Sequence, residues 1–386
     1  MLAGVSLGGA GHLNPLVPFL QAARRRGDDT LVVGPAALSG LVESIGFDFV
    51  AGGEPDEAAV AHIRERLPTA APAEGSLLAN RELFGRLAAR ALLPAMTEVF
   101  ARWRPDLVLR DPCEHASAAS AARLGVPAVQ VAISPAEVEW GSIEVAAPAL
   151  EELRPALADV ERTSAYLTRF PADLDPSPFP ETIRFHEDAP EPVSLPDWWA
   201  GDSAPLVYLT FGTVLGHLTI AASVYRAALR AVEGLGLRVL LTVGRTFDIA
   251  TLGTLPAGAH AEPWVDQARV LAAADVVVCH GGSGTVYGAL AAGVPVVVVP
   301  VFADQFDNGR RVAAAGAGVV VEADGRSRSR VIDERDAPRI ALAIEDVLAR
   351  HGYRERAQAI ADGVTASPSA DDAFGALADS ITAGRA

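Results

Sequence analysis

The chain has 386 residues, half of them hydrophobic, and a formal net charge of −16. That length exceeds one ordinary core and predicts two domains. The acidic balance, with basic runs no larger than "ARRRG" (23–27) and "GRSRSR" (325–330), excludes binding of nucleic acid through phosphate neutralisation. No lysine occurs, so all 32 residues counted as Lys plus Arg are arginine. This excludes a lysine-bearing P-loop, Schiff-base catalysis and a covalently held pyridoxal phosphate. Apolar runs such as "VPVVVVPV" (294–301) are short and broken by proline, far from the roughly 20 residues of a membrane span. No basic segment precedes an apolar one at the start, so no secretory leader is expected. Two cysteines, Cys113 and Cys279, make no disulfide framework and fit a reducing, cytoplasmic setting.

In chain order, strand-like runs alternate with helical patterns. "AGVSL" (3–7) precedes the glycine-rich "GGAGHLNP" (8–15), a predicted helix over 15–27 and a strand over 29–34. "DLVLRD" (106–111), a helix over 116–125 and "AVQVAIS" (128–134) repeat the unit. The rhythm weakens between 135 and 180. A proline-rich stretch over 186–205 then reads as a linker, with Trp198 and Trp199 packing down. The alternation restarts with strands over 206–212, 238–244, 274–282, 294–300 and 318–323 and helices over 222–236 and 336–352. This β-α-β rhythm predicts an α/β fold of two doubly wound, Rossmann-like parallel-sheet domains. The predicted boundaries are 1–185, a linker over 186–205, 206–366, and a last helix over 367–386 packing back on the first domain.

The richest constellation is "VVVCHGGSGTVYGALAAGVPVVVVPVFADQFDNGRRV" (276–312). A buried strand runs into glycines, and a helix follows whose free N–H groups attract a phosphate. His280, Ser283 and Thr285 add side-chain donors. The glycines alone fit a ligand-free turn equally well, and Gly282, Gly284 and Gly288 miss the dinucleotide spacing G-x-G-x-x-G. Pro300, Asp304, Gln305, Asn308 and Arg311 come at the carboxyl end of the next strand, where open α/β sheets bind ligands. A carboxylate beside an amide suits vicinal sugar hydroxyls. Trp264 in "EPWVDQ" (262–267) offers a stacking platform for a base, or a core residue. No C-x-x-C or H-E-x-x-H spacing links Cys113, His115, Cys279 and His280, so no metal site is expected.

These motifs resemble the nucleotide-sugar signature of GT-B glycosyltransferases, in the large inverting family that includes antibiotic-tailoring and plant small-molecule enzymes. "GHLNPLVP", "RPDLVLRD", "LTFGT", "EPWVDQ" and the 276–312 segment follow one another in the order of that family, with Asp266 standing where the family often has proline. The resemblance implies two domains facing each other across a cleft. It also implies a base held by Trp264 and Val265 with Gln267 beside them, and a diphosphate held by His280, Gly282, Ser283, Gly284, Thr285 and, from the facing strand end, Thr213. Asp304 and Gln305 would meet the donor sugar. The reaction would need no metal and no cofactor beyond the sugar nucleotide, which is itself a substrate.

The acceptor hydroxyl needs a base, and neutral imidazole suits that task. A carboxylate on its far nitrogen would orient it, and Asp111 ends a strand as the orienting aspartate of this family does. His12 and Asp111 are therefore the expected dyad, with Glu114 and His115 ranked behind Asp111. Phe84 and Trp140, with Phe100, Tyr166 and Phe170, are candidates for an apolar acceptor lining. The expected partners are a dTDP- or UDP-sugar and a hydrophobic natural-product aglycone, with a homodimer left open. The readings set beside this one are a nucleotide-sugar 2-epimerase of the same fold, a catalytically silent homologue that activates a partner enzyme, and an oxidoreductase.

Overall fold

A computed structural model describes residues 1–7, 9–67, 70–187, 203–301, 304–323 and 331–383. The side chains at 72, 213 and 214 are outside that description. Two compact units result, one formed by residues 1–188 and 367–386, the other by 189–366. Most of the 186–205 segment, with Trp198 and Trp199, lies outside the described residues.

The first unit contains strands β1 (Leu2–Gly4), β2 (Leu31–Pro35), β3 (Phe49–Gly52), β4 (Val108–Arg110), β5 (Ala128–Val131), β6 (Tyr166–Thr168) and β7 (Thr182–Arg184). They form one parallel sheet in the order β3-β2-β1-β4-β5-β6-β7. Leu2 is in register with Leu31 on one side and with Val108 on the other. The second unit contains β8 (Leu206–Thr210), β9 (Arg238–Thr242), β10 (Ala259–Glu262), β11 (Val276–Cys279), β12 (Val296–Val298) and β13 (Gly318–Val320). Their order is β10-β9-β8-β11-β12-β13, again parallel throughout. Strands such as β8 and β11 are buried along their whole length, as expected where helices cover both faces of a parallel sheet.

This topology places the chemistry. In each sheet the strand order reverses at one point, between β1 and β4 and between β8 and β11. Crevices beyond the carboxyl ends of the strands at such points are where doubly wound sheets bind ligands.

Several elements differ from the sequence expectation. Strands β6 and β7 have three residues each, and β3 and β10 four, too few to show a period. The weak region over 135–180 holds an 18-residue helix, Ala136–Leu153, with Pro148 inside it. Within "GGAGHLNP" a helical turn spans Ala10–Leu13, with the His12 N–H donating to the Gly9 carbonyl at 3.0 Å. It continues through Asn14–Leu16 into the helix Val17–Arg26. The helix following β11 begins at Ser283.

The last helix, Ala370–Ala383, belongs to the first unit. Ala370, Ala373, Phe374 and Leu377 are buried with Phe19, Leu20 and Ala23 of the Val17–Arg26 helix. The exposed pairs Arg25–Asp371 (2.5 Å) and Arg26–Asp379 (2.8 Å) flank that seam. Burial rather than surface pairing holds it, since exposed ion pairs contribute about 0–1 kcal/mol each. Among the described residues no helix is long and apolar enough to cross a membrane.

Candidate active site

At the switch point of the first sheet, β1 delivers Ser6 and then His12, while β4 delivers Asp111. The His12 Nδ1 lies 3.1 Å from Asp111 Oδ1 and 3.0 Å from Ser6 Oγ. Asp111 is fully buried and both its carboxylate oxygens accept hydrogen bonds. Oδ2 accepts from the Ser6 N–H at 2.6 Å, and Oδ1 accepts from Ser6 Oγ at 3.2 Å and from the Cys113 N–H at 2.9 Å. Burial alone would raise this carboxyl. The His12 charge and the hydrogen bonds from His12, Ser6 and Cys113 outweigh it and hold Asp111 below the usual carboxylate range. A carboxylate can only accept, so it fixes the proton on Nδ1 and leaves Nε2 as the basic nitrogen. The His12 side chain is 19 % exposed, and the Phe84 ring lies 5.7 Å from the imidazole, centroid to centroid. Phe84 comes from a π-wound segment, Leu77–Ala88.

The turn that aims Asp111 rests on a buried ionic cluster. Arg110 is completely buried, and its Nη1 donates to the carbonyls of Asp111 (3.2 Å), Pro112 (3.2 Å) and Glu114 (2.8 Å). Its Nη2 lies 3.3 Å from Glu161 Oε2, and Glu161 Oε1 is 2.9 Å from His115 Nδ1. Burial raises the Glu161 carboxyl, but the Arg110 and His115 charges bring it below its ordinary value. Glu114 and His115 are thus engaged behind the turn. The Glu114 carboxyl, accepting from the Ala116 and Ser117 N–H groups, is pushed up by burial. Cys113 also has its thiol pushed up, by burial and then by Asp111.

Of the residues expected to line an acceptor surface, Phe100, Tyr166 and Phe170 are corrected to core. All three are buried, and Tyr166 stacks on Phe179 at 4.2 Å. Trp140 is half-buried and stands edge-on to Phe179 at 5.2 Å.

At the switch point of the second sheet, β11 ends on Cys279 and the chain turns through His280, Gly281 and Gly282 into the helix Ser283–Ala291. Gly281 has φ +90°, and a Cβ there would meet Val298 Cγ1 at 2.7 Å and the Gln305 carbonyl at 2.8 Å. At Gly212, with φ +72°, a Cβ would meet His280 Nε2 at 2.8 Å. Only glycine suits these positions. His280 is held neutral: burial brings it down to about 4, against the opposing effect of a hydrogen bond with the Thr210 backbone. Its Nδ1 is buried and without a partner among the described residues. Gly282 precedes the helix, and a Cβ on Gly284 would meet open space. Thr285 is buried, and its N–H donates to the Gly282 carbonyl at 3.1 Å. Thr213 lies in the turn Gly212–Leu215, its side chain outside the described residues.

Ser283 and Asp304 face each other rather than open space. Ser283 Oγ donates to Asp304 Oδ2 at 2.8 Å, and the Asn308 amide donates to Ser283 Oγ (2.9 Å), Asp304 Oδ2 (3.0 Å) and the Gly281 carbonyl (2.8 Å). Gln305 is buried, and its Oε1 accepts from the Val301 N–H at 2.8 Å. Asn308 therefore ties the glycine turn to the loop after β12. Its i,i+4 spacing from Asp304 was the available signal. Ser6 had none beyond its place at a strand end.

After β10, Trp264 is 53 % exposed, with the Arg245 guanidinium 4.7 Å above its ring. Val265 and Gln267 are half-buried, and the Gln267 Nε2 is buried without a partner among the described residues. Asp266 precedes the helix Gln267–Leu271 and pairs with Arg269 at 3.0 Å.

Comparison with known proteins accords with this geometry. The family profile of the erythromycin biosynthesis protein CIII-like C-terminal domain matches residues 229–379. The chain is 32 % identical to the L-demethylnoviosyl transferase of Streptomyces niveus over 367 residues, 92 % of each chain. It is 33 % identical to the elloramycin glycosyltransferase ElmGT of Streptomyces olivaceus, over 80 % of this chain and 82 % of that one. Its structure superposes on the Streptomyces sp. SF2575 glycosyltransferase SsfS6, solved with thymidine diphosphate, with a TM-score of 0.75 at 25 % identity, covering 98 % and 99 % of the two chains. The chain belongs to the antibiotic-tailoring glycosyltransferases, and its two parallel-sheet α/β units carry the GT-B fold.

Proposed function

We propose that this glycosyltransferase moves a deoxysugar from a dTDP- or UDP-linked donor to a hydroxyl of a hydrophobic natural-product aglycone, with inversion at the anomeric carbon. The observation that carries the reading is the His12 Nδ1–Asp111 contact of 3.1 Å at the carboxyl edge of the first sheet. Nε2 takes the proton of the acceptor hydroxyl as its oxygen bonds to the anomeric carbon and the bond to the diphosphate breaks on the opposite face. Asp111 stabilises the imidazolium that forms.

The leaving diphosphate is received by the start of the helix Ser283–Ala291, where unpaired N–H groups and the helix dipole favour negative charge. Neutral His280 contributes a hydrogen bond rather than a charge. The tight Ser283–Asp304–Asn308 contacts support a preformed turn, so its stabilisation costs no rearrangement during reaction. This arrangement requires no metal. Trp264, exposed beside Gln267, supports base stacking, and the thymidine diphosphate complex of SsfS6 favours a thymidine nucleotide.

The test is a titration of tryptophan fluorescence with dTDP, UDP and NAD, followed by mass detection of glycosylated product with a dTDP-sugar and an aglycone panel. Quenching by dTDP or UDP but not NAD is expected. No response to either nucleotide overturns the donor site.

A further inference from the structure

The sequence spacing contains no metal motif, yet the fold assembles three ligands of the kind zinc prefers. Asp111 and Cys113 lie two residues apart on the turn after β4, and the Cys113 N–H donates back to Asp111 Oδ1 at 2.9 Å. The neighbouring strand β1 brings in His12 from 99 residues away. A His12 ring nitrogen, an Asp111 carboxylate oxygen and Cys113 Sγ all lie within 4.8 Å of one another.

In a tetrahedral zinc site the metal sits about 2.0–2.3 Å from nitrogen, oxygen and sulfur, so neighbouring ligand atoms stand roughly 3.3–3.8 Å apart. The 3.1 Å between His12 Nδ1 and Asp111 Oδ1 is already close to that spacing, and Ser6 Oγ, 3.0 Å from Nδ1 and 3.2 Å from Oδ1, would turn aside as a cation enters. Thiolate, imidazole and carboxylate together suit zinc better than magnesium or calcium, which take oxygen ligands. Half-buried His12 leaves the fourth position open to water, and the thiolate and carboxylate would balance the two positive charges.

We propose that His12, Asp111 and Cys113 form a binding site for a thiophilic divalent cation, zinc by its ligand chemistry, and that its occupation silences His12. Binding stands on the three side chains alone; the silencing rests on the reading of His12 as the base. In the metal-free protein the Nδ1 proton is held by Asp111. A cation takes the Nδ1 lone pair, that proton passes through solvent to Nε2, and the thiol proton goes to the buffer as sulfur bonds to the metal. Nothing is oxidised or reduced. The imidazole stays neutral but in the opposite tautomer, and an Nε2 that carries hydrogen cannot accept the hydroxyl proton.

Cobalt(II), a spectroscopically visible stand-in for zinc, tests the site on the full chain. Wild type should develop a near-ultraviolet thiolate-to-cobalt charge-transfer band, displaced by zinc. The band should be lost in Cys113→Ala and kept in Cys279→Ala. No band, or the same band in Cys113→Ala, overturns the site. X-ray absorption at the zinc edge of wild type gives a check that needs no variant: a sulfur in the first shell is expected, and a shell of nitrogen and oxygen only overturns it. Zinc should suppress sugar transfer by wild type, and the ratio of rates with and without zinc should return to unity in Cys113→Ala. A cobalt band in a protein that transfers no sugar leaves the metal site standing and sinks the glycosyl-transfer reading instead.

Discussion

At the end of β4 both carboxylate oxygens of Asp111 are engaged, and a buried arginine fastens the carbonyls of the turn that carries it. At the end of β11, by contrast, the His280 ring is kept neutral and one of its buried nitrogens has no partner among the described residues. The first switch point is a closed ionic network with one basic nitrogen left over. The second is a glycine turn at a helix start, which the proposed reaction uses to receive negative charge. The difference teaches that one topology, repeated in two units, can present a buried ionic network at one switch point and a glycine turn at the other. The first arrangement suits proton transfer and the second suits anion binding, as the proposed reaction requires.

Breaking the first side should give the largest effect. Asp111→Asn turns an acceptor for Nδ1–H into a group that offers its own N–H, so His12 adopts the wrong tautomer. Turnover should fall by about 10³–10⁴-fold, while dTDP affinity, read by fluorescence titration, stays as in wild type. A variant that keeps more than a tenth of wild-type turnover separates Asp111 from the chemistry.

Next in size is the support behind the turn. Arg110→Met leaves Glu161 buried beside His115 without its strongest partner and frees three carbonyls. Chemical denaturation should show a loss of about 3–5 kcal/mol. A loss below 1 kcal/mol means that the cluster contributes little to holding the turn.

On the second side, Trp264→Ala should weaken dTDP binding by about 1–3 kcal/mol, the range for a base stacked on an aromatic ring. Because Trp264 is 53 % exposed, the stability of the protein should change by no more than about 0.5 kcal/mol. The reverse pattern, intact affinity with lost stability, assigns Trp264 to packing.

The remaining effect is a pH dependence. His280 in the folded protein is depressed from 6.5 to about 4, so as pH falls the unfolded chain takes up its proton first. The contribution of neutral His280 to stability is therefore complete above about pH 6.5 and is lost as pH falls toward about 4. The difference in urea midpoint between wild type and His280→Asn should narrow over that window, and a constant difference contradicts a neutral His280.

Much of this was legible in the sequence because it depends on local pattern. The buried valine runs of β11 and β12, the glycine turn at 280–284 and the strand leading to Asp111 are contiguous signals. What was not legible depends on contacts distant in the chain. Ser6 meets Asp111 across 105 residues, and Arg110 finds Glu161 through a helix in the region where prolines mask the rhythm. Cys113 gains a meaning only when β1 lies beside β4. Phe100, Tyr166 and Phe170 are only candidates for an acceptor lining in the sequence, because an aromatic residue reads alike whether it faces a ligand or a core. Three-residue strands such as β6 and β7 carry too little period to tell these cases apart.

The orientation of His12 by Asp111 is the claim on which the dyad and the silencing of His12 by a bound cation both depend, and ¹⁵N NMR of histidine-labelled protein tests it directly. The His12 ring should be the Nδ1–H tautomer with a bare Nε2 in metal-free wild type, and should lose that preference in Asp111→Asn. An Nε2–H tautomer in metal-free wild type would contradict the account.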